Sequence, residues 1–264
     1  GLMGWASWIE PGFVSLDTQL ALSTHVWELA LMALPMTFII ITAGIDLSIA
    51  STLALSAVTL GLCFQAGAPV ALAAAAAVAV GAACGAINGV FVSALRVHPL
   101  IVTLATMAAY SGAAEGISLA RPVGGFPSGF LAIGQGSLAG LPPAGWLFVV
   151  LALVAAVILG KTPFGRRLYA IGHNEQAALF SGIAVGKIKF LLYTLSGLMA
   201  GVTAVILVAH RDTAKADLGN GMELAVITAV VLGGTSIFGG RGNIIGTVLG
   251  VLLIHETREL LSWR

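Results

Sequence analysis

The acid Asp46 sits in the stretch Ile41-Thr42-Ala43-Gly44-Ile45-Asp46-Leu47-Ser48-Ile49-Ala50-Ser51, with 17 uncharged residues before it and 49 after it. A carboxylate at membrane depth is costly and needs a partner or water. Asp46 therefore reads in two compatible ways. It is a polar site inside a broken, bilayer-embedded helix, or it caps a helix that starts at the interface. Gly44 weakens the helix just before it, and Ser48 and Ser51 can satisfy backbone groups that a break would free. No other acid reads as buried, and no basic partner lies at the same depth. Asn88, Thr103 and Thr106 are further polar positions on apolar stretches. They read as interhelical hydrogen bonds or as the lining of a polar path. Asp46, Ser48, Asn88, Thr103 and Thr106 are thus the candidate translocation pathway. Their hydroxyl, amide and carboxyl groups would carry a small polar solute by hydrogen bonding, without bond-making chemistry.

Two further stretches hold distinctive residues. Glu223 follows Gly219-Asn220-Gly221 and opens an apolar run, where a first-turn acid favours the helix dipole. The stretch Gly233-Gly234-Thr235-Ser236-Ile237-Phe238-Gly239-Gly240-Arg241-Gly242 only superficially resembles a phosphate loop, because no Gly-Lys-Ser/Thr follows. It reads as a kink between two short membrane helices, with Gly233 and Gly234 at the break as Gly44 is at the other. The chain is therefore not expected to bind or hydrolyse ATP. A compact helix signal occupies residues 174–182: Asn174 as N-cap, Glu175 in the first turn, Ala177 and Ala178 inside, and Gly182 at the C′ stop.

These groups must be carried by elements that suit lipid. Hydrophobic residues make up 58% of the 264 positions and charged residues 9%, with a mean hydropathy of +1.03. A soluble domain averages about 25% charge. Residues 47–95 carry no charge, on the order of 70 Å of helix, about twice a bilayer core. That run must cross twice, with a turn at Ala66-Gly67-Ala68-Pro69. Further charge-free runs span 29–45, 97–114, 144–160, 190–210, 224–240 and 242–255. The expected fold is an all-α polytopic transmembrane bundle of seven or eight embedded segments, some broken or re-entrant. Barrel-type alternation is absent.

Residues 161–189 hold Lys161, Arg166, Arg167, Lys187 and Lys189 against Glu175. The positive-inside rule makes that loop cytoplasmic. Counting spans then places Arg96-Val97-His98-Pro99 on the same side, and 121–143 and 211–220 outside. Gly81, Gly85 and Gly89, Gly197 and Gly201, and Gly242, Gly246 and Gly250 each recur every fourth residue, a spacing that lets helix backbones approach closely. Cys63 and Cys84 read as small buried hydrophobes. The histidines show no ligand spacing, so no metal, cofactor or disulfide is expected, and a net charge of +1 leaves no nucleic-acid footprint. Trp5 and Trp8 suit a membrane interface. The chain begins at Gly1 and ends at Trp263-Arg264, which reads as an incomplete or trimmed chain.

With these residues in view, the chain resembles the permease subunits of ATP-binding-cassette (ABC) importers. Ala177, Ala178 and Gly182 match the Glu-Ala-Ala…Gly signature, with Glu175 one position further away. Other stretches look like the ribose/xylose/arabinose/rhamnose type of sugar permease. They are Gly44-Ile45-Asp46-Leu47-Ser48; Asn88-Gly89 with His98-Pro99 through Thr106; Thr162-Pro163-Phe164-Gly165-Arg166 through Asn174-Glu175; and Glu223-Leu224 through Gly240. His98-Pro99-Leu100 stands where the family usually has Pro-Pro-Phe. The family continues into a further helix where this chain stops.

The resemblance implies a multi-pass subunit of the bacterial inner membrane, not itself an enzyme, with residues 1–264 forming one permease domain and 161–189 its coupling loop. It implies a cytoplasmic ATPase subunit docking on Asn174, Glu175, Ala177, Ala178 and Gly182. It also implies an external sugar-binding protein and a second permease, identical or different, in the lipid. The alternative is an autonomous secondary transporter or channel for a small polar solute.

Overall fold

The computed structural model describes residues 26–262. The expectations for Trp5, Trp8 and the last two residues lie outside it. In chain order the helices are α1 (Trp27–Ile41), α2 (Ile49–Gln65), α3 (Val70–Ser93), α4 (Pro99–Ser118), α5 (Ser128–Gln135), α6 (Pro143–Lys161), α7 (Pro163–His173), α8 (Glu175–Phe180), α9 (Val185–Arg211), α10 (Met222–Leu232) and α11 (Ile244–Ser262). A ribbon of β1 (Val123–Gly124) and β2 (Thr213–Ala214) is antiparallel, with Val123 opposite Ala214.

Helices α3, α4, α6 and α9 are long and apolar enough to cross a membrane. Helices α1, α2 and α10 are apolar but shorter. At 15 residues α1 reaches roughly 22 Å, short of a bilayer core. The charge-free run at 47–95 does contain a turn, between Gln65 and Val70, with Gly67 at φ +88°. Proline sets several starts: Pro99, Pro143 and Pro163 occupy first-turn positions, where a missing N–H costs nothing.

Helix α9 is the axis of the bundle. Its most apolar window is 61% buried, against 28% for α3, 22% for α4 and 28% for α6, which turn most of their surface outward. The most extensive helix contact is α3 on α9, and the glycine stripes make it. A Cβ on Gly81 or Gly85 would fall on the backbone carbonyl of Gly197 or Tyr193, and one on Gly197 would fall on the Gly81 carbonyl. Lipid supplies no hydrophobic drive between helices, so this backbone-to-backbone proximity and its dispersion contacts hold the pair. The second stripe works the same way within the α10–α11 hairpin, where Gly246 lies against the Gly233 carbonyl and Gly250 against that of Ala229.

The two ends of the bundle separate the loops as the charges predict. Arg96, His98 and Pro99 share one cleft with Glu175, Gln176 and Lys189. At the opposite end the 121–143 and 211–220 segments are joined by β1–β2, by the Phe126 amide donating to Asp212 Oδ1 at 2.9 Å, and by Gln135 Nε2 donating to the His210 carbonyl at 3.0 Å. The 121–143 segment, expected as an outer polar connection, is not only a loop. It contains α5, whose Gly134 packs directly on the His210 backbone.

Candidate functional site

The first predicted break is present. Helix α1 ends at Ile41, α2 begins at Ile49, and the link 42–48 turns inside the bundle. Asp46 is its centre. Its Oδ1 accepts from the Ser48 amide at 3.0 Å and the Ser48 hydroxyl at 2.7 Å, and its Oδ2 from Ser196 Oγ of α9 at 2.8 Å. Asn88 Nδ2 of α3 donates to Ser48 Oγ at 2.7 Å. The Ile45 carbonyl accepts from Thr103 Oγ1 of α4 at 3.3 Å and from the Tyr193 hydroxyl of α9 at 3.4 Å. Asp46, Ser48, Asn88, Thr103, Tyr193 and Ser196 are all buried, none more than 2% exposed. Gly44 leaves room for the Tyr193 hydroxyl, which would stand 2.8 Å from a Cβ there.

The arrangement answers how an acid is tolerated at this depth. Among the described residues no cation pairs with Asp46. Its oxygens are met by hydroxyl and amide donors, which a buried carboxyl group requires. Three helices, α3, α4 and α9, thereby converge on the seven-residue link between α1 and α2. Of the five candidate pathway residues, Asp46, Ser48, Asn88 and Thr103 come together here. Thr106 does not: it is half-buried and donates to its own helix, at the Val102 and Thr103 carbonyls. Ser196 and Tyr193 escaped the sequence reading, although Ser196 is a polar residue beside Gly197 in a charge-free run.

Asp46 is not the only buried acid, as the sequence led us to expect. Glu28 of α1 is 3% exposed, and its Oε1 lies 2.9 Å from Nδ1 of His210 at the far end of α9. Glu28 precedes the charge-free run and reads as a flanking charge. Only the tertiary packing around α1 encloses it.

The glycine stretch after α10 is a reversal into the α10–α11 hairpin, with the two helices packed side by side, rather than the expected kink, and it docks onto the 42–48 link. Helix α10 ends at Leu232 with Gly233 as its C-cap, and Gly234, Gly239 and Gly240 take positive φ (+91°, +82°, +74°) through the turn. The Gly240 amide donates to the Ile41 carbonyl at 2.9 Å, capping α1. The Tyr169 hydroxyl of α7 donates to the Gly242 carbonyl at 2.7 Å, and partial burial holds that phenol above its ordinary pKa. Glu223 lies in the first turn of α10.

At the basic end, α8 has the predicted caps. Asn174 Oδ1 accepts from the Ala177 amide at 2.9 Å, and Gly182 adopts φ +79° with open space around it. Ala178 faces inward, while Ala177 and Phe180 face out, Phe180 at 89% exposure. Glu175 Oε2 meets Lys189 Nζ of α9 at 2.6 Å. That contact fastens the short helix directly to the bundle axis that also carries Ser196. Helix α7, which precedes α8, went unread in the sequence. Its signal is Thr162-Pro163, with the Thr162 hydroxyl accepting from the Gly165 amide at 3.3 Å.

Residues 20–262 match the family described as the branched-chain amino acid transport system / permease component. The chain is 40% identical over 240 residues to the autoinducer 2 import system permease protein LsrD of Yersinia enterocolitica, covering 89% of this chain and 72% of that protein. It is 39% identical to the same-named protein of Photorhabdus luminescens, with the same coverage. It is 38% identical over 260 residues to that of Escherichia coli K12, covering 96% and 79%. No solved structure matches it. The chain belongs to this family of transport-system permease components and is a multi-pass inner-membrane permease subunit of the ABC importer kind.

Proposed function

We propose that this permease imports a small, uncharged, polyhydroxylated solute of the autoinducer 2 class. The resemblance of the whole chain to import permeases of that name, at about 40% identity, carries this reading. The family description mentions branched-chain amino acids instead. A zwitterionic substrate calls for paired charges along its route, whereas the groups around Asp46 are hydroxyls and amides, with no cation among the described residues. We also propose that Asp46, Ser48, Asn88 and Thr103 act from behind the pathway, holding the 42–48 link against α9, and that Thr106 on α4 stands nearest the solute. A second permease, identical or different, completes the path.

An ATPase subunit is the proposed partner at α8, with Asn174, Glu175, Ala177, Ala178 and Gly182 shaping the dock. An external solute-binding protein is the proposed partner at the β1–β2 end. ATP turnover then biases a two-state bundle through α8, and the Glu175–Lys189 contact passes that bias to α9. Replacing Phe180 by Ala tests the dock. Its side chain is 89% exposed, so the fold should change by no more than about 0.5 kcal/mol. Stimulation of the partner ATPase by solute-loaded binding protein should fall at least about ten-fold, a loss of roughly 1.4 kcal/mol of interface energy. The function itself is tested by uptake into proteoliposomes with and without the ATPase. Uptake driven by an ion gradient alone would show an autonomous transporter and reject the importer reading.

A further inference from the structure

An apolar cleft of about 180 Å³ opens on the side of the bundle between α1, α6, α7 and α9. Pro35, Phe38, Val154, Ile158, Phe164 and Leu195 are among the residues that line it, and among the described residues no charged or hydrogen-bonding side chain does. Pro35 lies inside α1. It leaves the Leu31 carbonyl without its helical donor and weakens the helix at that point. Val154 and Leu195 are 49% and 42% exposed, so the cleft is open sideways, toward lipid.

Its end at the α6–α7 junction is cationic. Lys161 follows Ile158 by three positions at the end of α6, and Arg167 follows Phe164 by three on α7, so each cation neighbours a cleft-lining side chain on its own helix. Both are exposed, as is Arg166. Among the described residues none of the three is in an ion pair. Helix α7 buries Gly165, Leu168 and Ile171 on one face and presents arginines on another, the form of an element lying along the membrane surface.

We propose that this cleft binds an anionic phospholipid from the leaflet on the basic side. One acyl chain lies along Phe38, Val154 and Leu195, and the phosphate sits between Lys161 and Arg167. Charge complementarity selects the headgroup, and an uncharged apolar wall inside the bilayer selects a hydrocarbon chain. The site joins α1, which carries the Asp46 link, to α7, which leads into α8. It does not depend on which solute is imported.

The test uses the permease purified with its transport partners, examined by native mass spectrometry with added dioleoyl phosphatidylglycerol or dioleoyl phosphatidylcholine. The expected result is retention of phosphatidylglycerol over phosphatidylcholine. Lys161→Gln combined with Arg167→Gln should reduce that preference by about ten- to thirty-fold at low salt. Val154→Trp, which fills the cleft at an exposed position, should reduce retention of both lipids while the protein remains folded by thermal unfolding. Equal retention of the two lipids by the unaltered protein would overturn the proposal. So would an unchanged preference in the charge variant, or displacement of the lipid by inorganic phosphate alone.

Discussion

Asp46→Ala should cost about 2–4 kcal/mol of stability and abolish uptake, while Asp46→Asn should cost about 1 kcal/mol and leave a folded protein. The carboxylate accepts from the Ser48 amide, the Ser48 hydroxyl and the Ser196 hydroxyl. The hydroxyls can rotate toward other acceptors, and intramembrane hydrogen bonds of that kind average only about 0.6 kcal/mol. The Ser48 amide cannot turn, and a buried donor left unpaired costs about 1–3 kcal/mol. The amide therefore dominates the loss. Asparagine keeps an oxygen for that amide and offers an NH2 group that the Ser196 hydroxyl can accept from. Thermal unfolding of both variants in detergent, beside uptake in proteoliposomes, separates the two contributions. Equal destabilisation by both would mean that the negative charge itself is required, and a stable Asp46→Ala protein would remove the link's dependence on this residue.

Gly85→Ala and Gly197→Ala should each destabilise by about 3 kcal/mol, toward the upper end of overpacking costs. At Gly85 the new Cβ falls on the Tyr193 carbonyl and stands 2.9 Å from the Gly197 nitrogen; at Gly197 it stands 2.7 Å from the Gly85 Cα. Both neighbours are backbone, so no side chain can swing away, and α3 and α9 must separate along their length. That separation would also loosen Asn88 and Ser196, which reach the Asp46 link from these same helices. Gly160→Ala is the control. Nothing lies within 4 Å of its Cβ, and alanine in a helix is favoured over glycine by about 1 kcal/mol. Monodisperse yield by size exclusion and the unfolding midpoint should fall for the first two and hold or rise for the third. Matching behaviour of all three would show that the glycine seam does not carry the packing.

Much of this protein was legible from short stretches of chain. Asn174 and Gly182 delimit α8 because a cap and a left-handed stop are local events, settled within four residues. The breaks at Gly44 and at Gly233-Gly234 were visible because glycine and a lone acid interrupt an otherwise uniform run. The opposed loops followed from the placement of lysine and arginine. What the one-dimensional pattern withheld is which face of each span is covered. In a soluble helix the polar face marks the outside, but lipid is as apolar as the core, so that contrast is lost along α3, α6 and α9.

The sequence by itself thus determined a membrane bundle, the interruptions of its apolar runs near Asp46 and Gly233, and its basic end. Only the tertiary structure decided that Ser196, 150 positions from Asp46, completes the carboxylate's shell. It also decided that Glu28 is enclosed with His210, 182 positions away. It decided, finally, that the turn after Gly233 caps the end of α1 through Gly240 and Ile41. Each of these contacts joins segments far apart in the chain that meet only in the packed bundle. The chemistry that tolerates Asp46 inside the bundle is therefore a property of helix packing, which no single stretch of the chain contains.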